Sequence, residues 1–381
     1  MSELYSLPDG WEWIEFSKVF DTPTSKPYQI QKTEYLEKGL LPIIDQGKEF
    51  IIGYTNSIEK KYSNESNCII FGDHTRQIKY VDFDFVIGAD GTKILKEKDK
   101  NKYDLKFLYF QFLSKKIESL GYSRHFKLVK EMFFAIPPLE EQKRIVAKLD
   151  ILFAKIDKAI ALHQKNIDEA DIFMTSVLND VFGELEEKYE KKQLNEIIKI
   201  IGGGTPSKAN KEYWENGTIK WATVGDMNVE TITKTELSIT EIGLKNSSSN
   251  IIPKNGIIIA TRVGLGKVCY LEDDTAINQD LKGLILKDNK LNIRYLFNFF
   301  KNIEKYIISN GIGATVKGVK LEFIKELEIP LPPLQTQQKV VSYLDEISNK
   351  MEKIKQIQKE KMQSLKELKA SILDKAFKGE L

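Results

Sequence analysis

Two stretches of the chain carry apolar residues at spacings of three and four. The first runs through Ile145, Leu149, Leu152, Ile156 and Ala159, then Ala170, Phe173 and Val177. The second runs through Leu344, Ile347, Met351 and Ile354, then Leu365, Leu368 and Ile372. Such spacing keeps one narrow face of a helix apolar and predicts long helices paired through a coiled-coil seam. A Pro-Pro step precedes each stretch, at Pro137 and Pro332, and forbids helix before it. No further Pro or Gly intervenes until Gly183 and Gly379, which suit helix ends. At 1.5 Å per residue, ~44 residues make a rod of about 65 Å. The middle of each seam is polar, with His163 and Asn166 matched by Gln358 and Lys361. That layer reads either as a solvated midpoint or as a register-fixing device.

The two stretches are copies of each other. Pro137-Pro138-Leu139 with Gln142 returns as Pro332-Pro333-Leu334 with Gln337. The same interval then relates Lys155 to Lys350, Leu178 to Leu373 and Phe182 to Phe377. Each copy closes on Gly-Glu-Leu, at Gly183 and at Gly379, with one extra residue before the second. The blocks ahead of the helices mix β-branched runs with Gly, Asn and Asp turns, as α+β globules do. Strand candidates at Asn67-Cys68-Ile69-Ile70-Phe71 and Gly256-Ile257-Ile258-Ile259-Ala260 lead into polar loops. Aromatic helical runs around Phe107 and Tyr295 precede each Pro-Pro step. The predicted organisation is globule 1–136, helical spacer 137–185, globule 186–331 and helical spacer 332–381. This is a tandem duplication with pseudo-two-fold character, in which the globules diverge more than the helices.

Composition narrows the class. With 41% hydrophobic and 29% charged residues the chain is globular rather than disordered. A net charge of +2 gives no global basic field, so a nucleic-acid partner would have to act through local patches. Cys68 and Cys269 are too few for a disulfide framework or a cysteine-rich zinc site, and suit buried thiols in a reducing compartment. The opening Met1, Ser2, Glu3 and Leu4 show no secretory pattern, and no apolar run approaches the ~18 residues that span a bilayer. A soluble cytoplasmic protein is expected, with no membrane partner.

At this point the chain resembles the specificity subunit of type I restriction–modification enzymes, over essentially its full length. The residues that carry the resemblance are Leu7-Pro8-Asp9-Gly10-Trp11, Phe71-Gly72-Asp73-His74-Thr75-Arg76, Gly203-Gly204-Thr205-Pro206-Ser207-Lys208 and the two Pro-Pro-Leu-x-x-Gln helix starts. The resemblance implies two α/β target-recognition domains, each reading half of a split double-stranded DNA site. It also implies an antiparallel coiled coil of the two long helices, serving as a ruler for the unread spacer. The subunit itself would be non-catalytic. Its implied partners are modification subunits, two in number, which methylate adenine N6 with S-adenosylmethionine, and restriction/translocase subunits that use ATP and Mg2+. No cofactor is expected on this chain.

The motif census agrees with that expectation. There is no Asn-Pro-Pro-Tyr or Asp-Pro-Pro-Tyr segment to hold a flipped base. The Gly202–Lys208 and Gly264–Val268 segments lack the Gly-Lys-Ser/Thr ending of a phosphate loop. Arg76 and Arg262 occupy comparable post-strand loops, beside His74, Thr75 and Thr261, and are the prime base-reading candidates. For Arg76 the structural alternative is a pair with Asp73. Thr205, Lys208 and Lys211 near the Gly-rich turn, with Lys317 and Lys320 before the second Pro-Pro, fit DNA-backbone contacts. Arg124, His125 and Lys127 hold the corresponding place in the first globule. The turn containing Gly311, Gly313 and Ala314 could admit DNA closely or be a plain loop. Trp11, Trp13, Trp214 and Trp221 read as packing residues. Two other classes compete: a self-sufficient DNA methyltransferase or nuclease, and a coiled-coil scaffold whose globules bind proteins.

Overall fold

The computed structural model describes residues 5–63, 67–121, 123–313 and 315–381. Met1, Ser2, Glu3, Leu4 and Ala314 therefore lie outside the described residues. Two compact units divide the chain: Met1–Gln164 with Lys359–Leu381, and Lys165–Gln358. The first long helix spans Leu139–Lys188 and the second Leu334–Phe377. The division crosses both helices, so each unit holds one globule and a part of each helix.

The two globules share one plan. In the first unit, strand Cys68–Gly72 lies between Ile78–Val81 and Thr92–Glu97, with Phe20–Asp21 at the edge; all neighbours run antiparallel. In the second unit, Ile257–Ala260 lies between Val268–Leu271 and Leu281–Leu286, flanked by Thr231–Ile232 and Ile198–Gly202. Both central strands are buried throughout, because each side of the strand faces a different core. Ile69 and Phe71 face one cluster while Cys68 and Ile70 face another; Ile257 and Ile259 alternate in the same way with Ile258 and Ala260. A second sheet in each unit contains one parallel pair, Leu41–Ile44 with Val86–Ile87 and Ile219–Ala222 with Thr275–Ile277. A two-stranded ribbon completes each plan, Glu12–Glu15 with Phe133–Ile136 and Lys191–Gln193 with Glu328–Pro330.

The Pro-Pro-Leu-x-x-Gln motif has a structural explanation. The Gln142 side chain is fully buried; its Oε1 accepts the Asp104 N–H (2.8 Å), and its Nε2 donates to the Lys102 and Pro137 carbonyls (both 2.8 Å). Gln337 does the same for the Asn292 N–H (2.7 Å) and the carbonyls of Lys290 (2.9 Å) and Pro332 (2.8 Å). Asp104 and Asn292 cap the aromatic helices Leu105–Ser114 and Ile293–Asn302, accepting first-turn N–H groups. One amide thus ties the first turn of a long helix to the cap of an aromatic helix. The aromatic helix then receives the far end of the other long helix. Phe107 meets Phe377 edge-on at 5.3 Å in the first unit, and Phe182 meets Tyr295 at 5.3 Å in the second.

The helices pair antiparallel within each unit. In the first, Ile145, Leu149, Phe153 and Ile156 share a core with Leu373, Ala376 and Phe377; in the second, Val177, Phe182 and Leu185 share one with Val341 and Leu344. Leu152, Ile347, Met351 and Ile372 are half-buried, as seam-flanking positions are. Phe173 and Leu368 depart from expectation, with 50% and 48% exposure. The inward positions keep a 3.5-residue period through Phe153, Ile156, Ile160, His163, Ile167, Ala170 and Met174, which leaves Phe173 one residue off the seam. The second helix places Lys355 and Lys369 at inward positions instead of neighbouring apolar residues. Their stems are covered and their ammonium groups reach Asp171 and Asp157, both at 2.9 Å. Apolarity therefore selects the wrong residue wherever a lysine stem fills the seam. Gly183 is a second correction: it lies inside the first helix, which continues to Lys188. Gly379 behaves as expected, with φ +77° and the Glu380 N–H bonded to the Lys375 carbonyl at 2.9 Å.

Replacing Gln142 or Gln337 by Leu leaves one N–H and two carbonyls without their partner at a partly buried joint and is expected to cost about 2–4 kcal/mol in urea unfolding. On the seam, Phe153→Ala is expected to lose about 3–5 kcal/mol, and Phe173→Ala under about 0.5 kcal/mol. Equal losses at the two positions would contradict the 3.5-residue seam.

Candidate nucleic-acid interface

Three segments converge beyond the end of each central strand. In the first unit the Asp73 N–H bonds the Gly91 carbonyl (2.8 Å), and the His125 N–H bonds the Asp73 carbonyl (2.8 Å). In the second unit Thr261 bonds Asp280, and Val319 bonds Thr261, both at 2.9 Å. These bonds make Asp73 equivalent to Thr261, Gly91 to Asp280 and His125 to Val319. By the same register His74 matches Arg262, and Arg124 matches Gly318.

In the first unit the organising group is the Asp73 carboxylate, of which 2% is exposed. Its Oδ1 accepts the Phe126 N–H at 2.8 Å, while Oδ2 stands 3.9 Å from Lys93 Nζ and 4.0 Å from Arg124 Nε. Arg124 and Lys127 are exposed. His125 is not a surface residue: it is 1% exposed, and its ring bridges the Asp73 carbonyl and the Leu120 N–H, both at 2.9 Å. Accepting at Nε2 requires the proton on Nδ1, so the ring is a neutral strut rather than a DNA contact. His74 is exposed, and its backbone N–H donates to Gln46 Oε1 at 3.0 Å. The Thr75 hydroxyl donates to the Gln46 carbonyl and so braces the same loop. Arg76 has the left-handed φ of 61° and sends its guanidinium to the Ile117 carbonyl at 3.0 Å; Asp73 pairs with Lys93 and Arg124 instead. A polar cleft opens beside Arg124, lined by the cations Lys26, Lys93 and Lys130, by Thr22 and Thr24, and by the carboxylate of Asp90.

In the second unit Thr261 is 3% exposed and donates its hydroxyl to the Asp280 carbonyl at 3.2 Å, so it supports the loop and does not face outward. Arg262 is exposed, with Nη1 3.4 Å from Asp280 Oδ1. Thr205 is exposed and bonds Gln279 in the turn ahead of Asp280. Lys208, Lys317 and Lys320 are exposed; Lys211 is exposed and lies 3.8 Å from Glu215. The Gly-rich turn is a packing device. A Cβ on Gly203 would collide with the Asn278 carbonyl oxygen, and one on Gly204 with Ser248. Trp221 Nε1 donates to the Gly204 carbonyl and Trp214 Nε1 to that of Ser207, both at 3.1 Å, and the two rings meet edge-on at 5.0 Å. Reading the sequence did not single out Lys26, Gln46, Lys93, Lys130 or Asp280. Lys26, Gln46 and Lys93 lie far along the chain from the segments they adjoin, and only the fold brings them together.

Other chemistry is sparse. Cys68 and Cys269 are buried, and burial pushes both thiols up to about 12, where they are poor nucleophiles. Among the described residues no three His, Cys, Asp or Glu side chains group as a metal site, and no helix is long and apolar enough to cross a membrane. Lys115 lies over the rings of Trp13 (5.5 Å) and Phe134 (5.2 Å), and burial pushes its ammonium down to about 8.

Two surface sites built on one repeated framework, with dissimilar side chains and a shared pair of helices, define a protein that presents two readers. The sequence pattern described as the type I restriction modification DNA specificity domain matches residues 8–169 and again 186–361. The EcoR124I/EcoR124II specificity subunit of Escherichia coli is 30% identical over 369 residues, 91% of this chain and 89% of that protein. The MjaIX specificity subunit of Methanocaldococcus jannaschii is 33% identical over 183 residues, covering 46% of this chain and 42% of that one. The chain belongs to the type I restriction–modification DNA specificity family. Solved structures agree on the fold. A chain from work on assembly and conformational transition of the type I system superposes with a TM-score of 0.71 at 22% identity, covering 99% of this chain and 100% of that one. The HsdS subunit of Thermoanaerobacter tengcongensis gives 0.50 at 22% identity, covering 99% of each chain.

Lys115 also sets a pH dependence. Its folded pKa lies below the ordinary 10.5, so the unfolded chain binds the extra proton between about pH 8 and 10.5, and the fold gains stability as pH rises through that window. Lys115→Met is expected to raise the melting temperature at pH 7 and to lose this advantage by pH 10.5; a difference independent of pH would disprove the assignment.

Proposed function

We propose that this chain is the DNA-reading subunit of a type I restriction–modification complex, each unit recognising one half of a bipartite, asymmetric site in duplex DNA. The observation that carries the reading is the repeated three-segment framework, which keeps its backbone bonds in both units while exchanging the side chains it presents. Equivalent backbone bonds set a loop in the same place in each unit, and different side chains make the two halves of the target differ. The lysines Lys208, Lys317 and Lys320, with Lys127 in the first unit, supply contacts to the DNA backbone. The chain itself is non-catalytic: S-adenosylmethionine serves two modification subunits, and ATP with Mg2+ serves the restriction subunits, in the cytoplasm. The long helices supply the docking surface for the modification subunits. Ile151, Leu162 and Phe173 recur every three turns on the outer side of the first helix, and Ile354, Ile357 and Leu368 are exposed on the second.

Mapping methylated adenines across the genome of cells that express the whole system tests the reading. The expected result is one split motif with two unlike halves and a spacer of constant length; methylation without such a motif would refute it. If the helices set the spacer, inserting one heptad into each at its midpoint lengthens them by about 10 Å, or about three base pairs. The mapped spacer is expected to grow accordingly.

A further inference from the structure

We infer that Arg124 and Arg262 are the principal base-reading residues of the two units, each a guanidinium facing a carboxylate, and that Arg76 is not one. The inference deepens the DNA-reading function proposed above and rests on it.

Arg262 is held at two points. Its stem passes over Gly318, where an added Cβ would stand 3.1 Å from Arg262 Cγ, and its Nη1 stands 3.4 Å from Asp280 Oδ1. Asp280 is itself fixed: its backbone N–H bonds Asn278 Oδ1 at 3.1 Å, and its carbonyl receives the Thr261 N–H and hydroxyl. In the first unit the same framework carries His74 in place of Arg262, Gly91 in place of Asp280 and Arg124 in place of Gly318. The arginine has moved from the post-strand loop to the third segment, and the carboxylate has moved into the post-strand loop as Asp73. Arg124 Nε stands 4.0 Å from Asp73 Oδ2, and the carboxylate is anchored by the Phe126 N–H at 2.8 Å. Each unit therefore has one arginine facing a carboxylate at the same meeting of segments, reached by a different route.

The pairing decides between bases and phosphates. A carboxylate beside a cation repels phosphate, so it weakens a backbone contact but steadies the orientation of a planar fork. One edge of the guanidinium faces the acid, and the remaining N–H donors stay available for the O6 and N7 acceptors of a guanine. Arg124 also lines the cationic cleft with Lys26, Lys93 and Lys130. Arg76 lines a different cleft, with Leu113 and Lys115, and spends its Nη1 on the Ile117 carbonyl.

Arginine-to-lysine variants keep the charge and remove the fork, so they separate reading from attraction. The assembled complex carrying Arg262→Lys is expected to lose preference for one guanine by roughly 5- to 100-fold, in one half-site only. Arg124→Lys is expected to do the same in the other half-site, and Arg76→Lys to leave the methylation motif unchanged. Asp280→Asn should relax the position that Arg262→Lys relaxes, without weakening binding to unrelated DNA. Loss of discrimination in Arg76→Lys but not in Arg124→Lys would overturn the assignment. So would uniform weakening on all sequences in Arg124→Lys or Arg262→Lys, the signature of a phosphate contact. A wild-type complex with no split motif would instead reject the DNA-reading function before any variant is compared.

Discussion

The buried amide of Gln142, and of Gln337 after it, is the joint on which each unit depends. Itself fully buried, it satisfies one N–H and two carbonyls at the place where a loop, a Pro-Pro step and a helix start meet. Only a side chain with both a donor and an acceptor on one rigid plane can serve all three. Through that joint the long helix is fixed to the cap of the aromatic helix. The aromatic helix backs the central strand, and the strand leads into the loop that carries the candidate DNA contacts. A small displacement at the joint would be transmitted to the loops because the intervening layers are close-packed.

The seam between the long helices solves a different problem. An internal duplication risks pairing each helix with its own copy in another molecule. Lys355 and Lys369 occupy inward positions of the second helix only, where the first helix has Ile160 and Met174. Asp171 and Asp157 on the first helix receive them. Pairing two second helices in the same register would set Lys355 against Lys366, the counterpart of Asp171, whereas the pairing within the chain gives Lys355 a carboxylate. Polar groups in a seam lower its stability and restrict the registers it accepts.

The recognition loops obey the opposite logic. The backbone bonds that join their segments are the same in both units, yet the side chains differ: His74 against Arg262, Arg124 against Gly318, Gly91 against Asp280. Conserving the scaffold while varying the donors allows a new target without a new fold, which suits a family defined by DNA specificity.

Much of the architecture was legible in the amino-acid order. The duplication, the two long helices, their starts at the Pro-Pro steps and the central strands all follow from periodicity and turn chemistry, which are local properties of the chain. The phase of the seam was not: Leu368 misleads because burial of the Lys369 stem depends on an acid from the opposite helix, and Phe173 because the 3.5-residue period passes through Ala170 and Met174 instead. Among the candidate DNA contacts, Arg262, Lys208 and Lys317 stand exposed where their loops implied. His125 and Thr261 turn inward because hydrogen bonds to Asp73 and Asp280, distant in sequence, claim them. The chain order by itself determined which segments would be helix, strand and loop. Only the tertiary structure decided which polar side chains the loops retain for bracing and which remain exposed, since that depends on partners brought together by the fold.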